Sequence, residues 1–89
     1  MNSKFFIYGV LDGVVYDFEH AGDELGPHAH NEDTNHITIV ARGSFTAWGD
    51  DWEVTLPTGA VVDWPLRQMH AFRALESSSR LVNIKKGVP

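Results

Sequence analysis

The chain contains no cysteine, so disulfide staples and thiolate metal ligands are excluded and the redox compartment is left open. Cations are scarce: seven Lys and Arg stand against twelve Asp and Glu, a formal net charge of −5. The acidic residues are spread along the chain, so no basic face is offered to phosphates, and nucleic acid is excluded as a partner. Long apolar runs are lacking too. Phe5 to Val10 is too short for a signal-peptide core with its cleavage site, and Asp12 stops it. No stretch approaches the roughly 20 residues needed to span a bilayer. These absences point away from the membrane and towards a cytoplasmic protein.

What is present is a globular composition, 43% apolar and 21% charged over 89 residues, which bounds the chain to a single domain over residues 1–89. A domain of this size buries a limited share of its surface. A closed or sandwiched β architecture, a bound metal or a partner subunit would each supply the missing stabilisation.

Strand-like segments dominate, with no helical period and no internal repeat. Lys4–Val10 and Val14–Glu19 are rich in β-branched and aromatic residues, and Asp12-Gly13 between them is a good hairpin pair. Residues 23–27 are polar and turn-forming, and residues 31–35 read as a loop. His36–Arg42 alternates, with Ile37 and Ile39 on one side and His36, Thr38 and Val40 on the other. Ser44–Trp48, Trp52–Leu56, Ala60–Trp64, His70–Leu75 and Arg80–Lys85 are further strands, separated by turns and by a loop at residues 65–68. Many short strands between Gly, Pro and Asp turns predict a β-sandwich or barrel. Lys85 and Lys86 read as a solvated tail.

The histidines are not scattered. Gly22-x5-His28-x-His30-x5-His36-x6-Gly43 holds three of the five, and Gly59-x5-Pro65-x-Arg67-x2-His70 holds a fourth. His-x-His on a strand sends two imidazoles to one face, about 6–7 Å apart at roughly 3.3 Å per residue. Imidazole is the commonest metal-ligand side chain near neutral pH. A metal site is the leading reading; its bland counterpart is four separately satisfied or exposed histidines. His20 lies outside the pattern and reads as a surface residue or as a neighbour of the site that packs rather than ligates.

These residues resemble the two motifs of the cupins, G-x5-H-x-H-x3or4-E-x6-G and G-x5-P-x-G-x2-H-x3-N. Gly22, His28, His30 and Gly43 match the first, and Gly59, Pro65 and His70 the second, so the motifs span Gly22 to Ala74. The resemblance implies an all-β, cupin-type jelly-roll barrel with a metal held inside by the motif-one histidines, its acidic residue and the motif-two histidine. Three positions depart. His36 stands where the family has Glu, Arg67 where it has Gly, and Ala74 where it has Asn. The expected ligands are therefore His28, His30, His36 and His70, with Glu32 as the alternative carboxylate. The cofactor expected is one divalent transition metal per chain, Fe, Ni, Mn, Cu or Zn.

Phe72 shares strand parity with His70 and is expected to point inward beside the metal. Tyr16 and Arg67 complete the candidate substrate contacts, Arg67 as a bidentate carboxylate clamp or simply an exposed loop arginine. Tyr16, Phe18, Trp48, Trp64 and Phe72 either line a cavity or, as small barrels usually require, pack the core. Ile37 and Ile39 face out, and an exposed apolar stripe on so small a chain suggests a homodimer. Three functions stay open: a metal-dependent enzyme of dioxygenase, lyase or isomerase type acting on a small oxygenated molecule, a non-catalytic metal-braced module binding a small ligand, and a partner domain acting through the Ile37/Ile39 face.

Overall fold

A computed structural model describes residues 2–8, 11–28, 36–64 and 69–86, at 7, 8, 11, 12, 27, 28 and 86 by their backbone. The described residues form nine strands: β1 (Asn2–Tyr8), β2 (Leu11–Phe18), β3 (Glu24–His28), β4 (His36–Arg42), β5 (Phe45–Trp48), β6 (Glu53–Leu56), β7 (Val61–Trp64), β8 (His70–Ala74) and β9 (Ser79–Lys86). They pair antiparallel into a five-stranded sheet, β1-β2-β9-β4-β7, and a four-stranded sheet, β3-β8-β5-β6.

Side-chain alternation decides what lies between the sheets. On β4, Thr38 and Val40 are buried while Ile37 and Ile39 are half-buried on the outer side, the division expected from the sequence. The core is Phe18, Val40, Phe45, Ala47, Leu56, Trp64, Phe72, Ala74 and Leu81. Its aromatic centre is edge-on, with Phe18 and Phe45 at 4.9 Å and 72°, a geometry that aligns ring edge with ring face.

Four expectations need correction. The first hairpin does not turn at Asp12-Gly13: the register runs to Tyr8↔Leu11 and pairs Asp12 with Ile7 and Gly13 with Phe6. Gly13 is there because the strand is crowded. A Cβ on it would collide with the Asn83 carbonyl oxygen and sit 2.6 Å from Phe6 Cζ. Residues 24–27 are strand, not turn. β3 is an edge strand, and the register gains an extra residue between Leu25 and His28, a bulge of the kind that accommodates Gly26-Pro27. Trp48 lies neither in the core nor in a cavity. It alternates with buried Phe45 and Ala47 and sits on the outer face, 5.0 Å beneath the Arg73 guanidinium. Lys85 is no solvated tail but a half-buried residue of β9. The expected loops at 31–35 and 65–68 lie outside the described residues.

Candidate metal and ligand site

Residues at one end of the sandwich bring the two sheets' polar side chains together. Partners directly opposite on antiparallel strands share a face. The five-stranded sheet pairs His36 with Trp64 on one side and with Lys85 on the other, and Lys85 with Asp12. One cross-strand row therefore reads Lys85, His36, Trp64. The next row inward is Val14, Asn83, Thr38, Val62, and the one after it is Tyr16, Leu81, Val40. Burial of Thr38, Val40, Trp64 and Leu81 fixes this as the inner wall.

Across from it, β8 contributes His70, 1% exposed. Its imidazole stacks on the Trp64 indole with centroids 4.5 Å apart and planes 18° from parallel. Phe72 meets both rings edge-on, 5.7 Å from His70 and 5.8 Å from Trp64, and Trp52 closes on Trp64 at 5.5 Å. Trp64 itself is fixed at its nitrogen. Nε1 donates to Thr38 Oγ1 at 2.7 Å, and that hydroxyl donates to Asn83 Oδ1 at 2.6 Å.

Of the predicted ligands, His36 and His70 are both brought inward from opposite sheets, flanking Trp64, with His36 Nε2 buried. The β3–β8 register sets His28 opposite His70. His30, Glu32 and Arg67 lie outside the described residues, and among those described no group of three His, Cys, Asp or Glu side chains gathers. His70 is buried and His36 half-buried, and imidazole nitrogen is a donor type that suits divalent transition metals. Phe72 points inward beside His70, as expected, and is fully buried. Tyr16 sits two rows from His36, half-buried against the core, where burial pushes its hydroxyl above the ordinary 10.0. His20 is exposed, near Glu19. Sequence reasoning passed over Thr38, Asn83 and Lys85, although the alternation Leu81, Asn83, Lys85 put all three β9 residues on one face.

No family model matches the sequence, and no curated protein does either. Solved structures do. KdgF from a Halomonas species superposes with a TM-score of 0.82 at 24% identity, over 98% of this chain and 78% of that one. An RmlC-like cupin from Desulfovibrio desulfuricans gives 0.79 at 29%, over 94% and 80%. A cupin superfamily protein from Desulfitobacterium hafniense gives 0.81 at 14%, over 98% and 77%. Two antiparallel sheets with this topology are a jelly roll of the cupin type. By its fold the chain resembles the small cupin-domain proteins. Among its described residues no helix is long and apolar enough to cross a membrane.

Proposed function

We propose that this cupin domain binds one divalent transition metal through His28, His30, His36 and His70 and uses it on a small oxygenated molecule. The observation that carries the reading is the arrival of His36 and His70 from opposite sheets at one tryptophan, with His28 in register beside them. Such an ion supplies Lewis acidity or, if it is iron, dioxygen activation. The chain's own contribution is positional. Trp64 and Phe72 hold the His70 ring in one rotamer, and the Trp64–Thr38–Asn83 hydrogen bonds hold Trp64. Packed aromatic walls also exclude water from the inner side of the site.

A second reading keeps the metal and drops the chemistry: a metal-braced binding module. The filling of the inter-sheet space by Phe18, Phe45, Phe72 and Leu81, all fully buried, favours it, since a substrate would reach the site from the end of the sandwich alone. Elemental analysis of the purified protein beside His70→Ala separates the readings. Near-stoichiometric iron, nickel, copper or manganese, lost in the variant, supports the first. Stoichiometric zinc, with four protein ligands and no open position, supports the second. No metal in either protein after reconstitution refutes both.

The outer face of the five-stranded sheet fits a second copy of the chain. Phe6, Val15, Val82, Ile84, Ile37, Ile39 and Val61 alternate with the inward residues, Val61 being 64% exposed. Lys4 marks the β1 side and Asp63 the β7 side. A two-fold axis along β9, the central strand, lays β1 over the partner's β7 and brings these charges together. Five strands at about 4.8 Å spacing, about six residues tall, give a footprint on the order of 500 Å² per partner, near the low end for stable interfaces.

A further inference from the structure

We propose that Lys85 is the anion-recognition residue of this site and that the ligand it selects carries a carboxylate. The inference rests on the metal reading above and adds the substrate class.

Lys85 is the Cα partner of His36, so its side chain leaves the inner wall one strand from His36, with about 5 Å between the Cα atoms. Its strand neighbour on the same face, Asn83, is hydrogen-bonded to buried Thr38, which confirms the inward parity. Lys85 is half-buried and has an interaction within the protein. The other cations whose side chains are described are elsewhere. Arg42 and Arg80 share Asp17 beyond the far end of the sheet. Arg73 pairs with Glu24 on an outer face, and Lys4 borders an outer hollow with Phe6, Val15 and Val82. In a chain of net charge −5, an anion approaching the histidines meets overall repulsion, and a local ammonium is what offsets it. A single compact cation beside a metal site matches a carboxylate, one oxygen towards the metal and one towards the ammonium. A phosphate would call for more donors than this row carries.

A lysine this close to imidazoles has a second, structural use: pairing with the acidic residue opposite it, Asp12. The two roles predict opposite effects on the metal. An ammonium repels a divalent ion, so removing a recognition lysine leaves metal binding unchanged or tighter. Removing a structural lysine loosens the site.

The test uses Co(II)-loaded protein, with glycolate and its neutral amide, glycolamide, as probes, binding being read from the visible Co(II) bands. Lys85→Gln is expected to bind one cobalt per chain at least as tightly as the parent, to keep its thermal midpoint, and to lose about 10-fold in glycolate affinity with no change for glycolamide. Lys85→Arg is expected to retain glycolate. If cobalt binds and glycolate affinity is the same in parent and Lys85→Gln, or inorganic phosphate binds the parent better than glycolate, the Lys85 assignment fails while the metal site stands. A lower midpoint with weakened cobalt in Lys85→Gln also overturns it, in favour of the structural pair. Failure of the parent to bind cobalt overturns the metal reading and this inference with it.

Discussion

Replacing Trp64 with phenylalanine keeps a flat ring against His70 but deletes the donor that begins the Trp64–Thr38–Asn83 chain. The loss has two parts. Removing a buried hydrogen bond costs about 1 kcal/mol, slightly more because the Thr38 oxygen loses a partner inside the core. The smaller ring gives up roughly 40–50 Å² of buried apolar surface, about 1 kcal/mol more. The sum, roughly 2–3 kcal/mol, is a large part of the ~4–13 kcal/mol expected for a domain of this length. It corresponds to a fall of about 10–20 °C in thermal midpoint. Urea or thermal unfolding by far-UV circular dichroism measures it directly. Thr38→Val, which removes the middle of the same chain, should show a coupling with Trp64→Phe on the order of 1 kcal/mol in a double-mutant cycle. A cost below about 0.5 kcal/mol, or strict additivity of the two substitutions, would refute the claim that these hydrogen bonds hold the indole.

Gly13→Ala should destabilise by about 2–3 kcal/mol because its Cβ meets the Asn83 carbonyl and the Phe6 ring; Gly26→Ala, with open space around the new methyl, should differ from the parent by under about 0.5 kcal/mol. The raised Tyr16 hydroxyl sets an alkaline limit. The unfolded chain ionises first, at the ordinary 10.0, so stability is undiminished below that pH and falls as pH rises from there towards the folded value. Unfolding curves from pH 9 upwards should show this slope, and Tyr16→Phe should flatten it. Ile39→Glu puts a carboxylate in the middle of the outer face and should convert a dimer to a monomer in light scattering without changing metal content; a parent already monomeric at high micromolar concentration would end the two-copy proposal.

The fold was largely legible because short strands announce themselves through alternation. His36, Thr38 and Val40 could be assigned inward from the sequence, and the same parity rule placed Phe72 beside His70. Turn chemistry misled where tertiary crowding overrode it. Asp12-Gly13 has the composition of a hairpin tip, yet Gly13 serves a close approach of the Phe6 ring and the Asn83 carbonyl to β2 that no local window reveals. Gly26-Pro27 resembles a turn for a related reason, since a bulge on an edge strand tolerates the same residues. Trp48 was misread because a tryptophan's size suggests burial, whereas its strand position puts it outside under Arg73. For the site, motif spacing singled out the candidate histidines. It was silent on Trp64 as the ring both sheets share and on Lys85, whose neighbour His36 is 49 residues away in sequence and adjacent only through sheet pairing.

The extra residue between Leu25 and His28 works as a reading-frame device. Counting from Leu25↔Phe72 without it, residue 27 would stand opposite His70; with it, His28 does. Each strand position alternates between the two faces of its sheet, so one inserted residue decides whether a histidine or a proline occupies the place beside the motif-two histidine. The stretch is thus constrained in length more tightly than in identity. Substitutions at Gly26 leave the count intact, whereas inserting a single residue there, with the bulge kept, moves His28 by one position and delivers Pro27 in its stead. Insertions, not point changes, are the mutations to which this corner of the protein is most exposed.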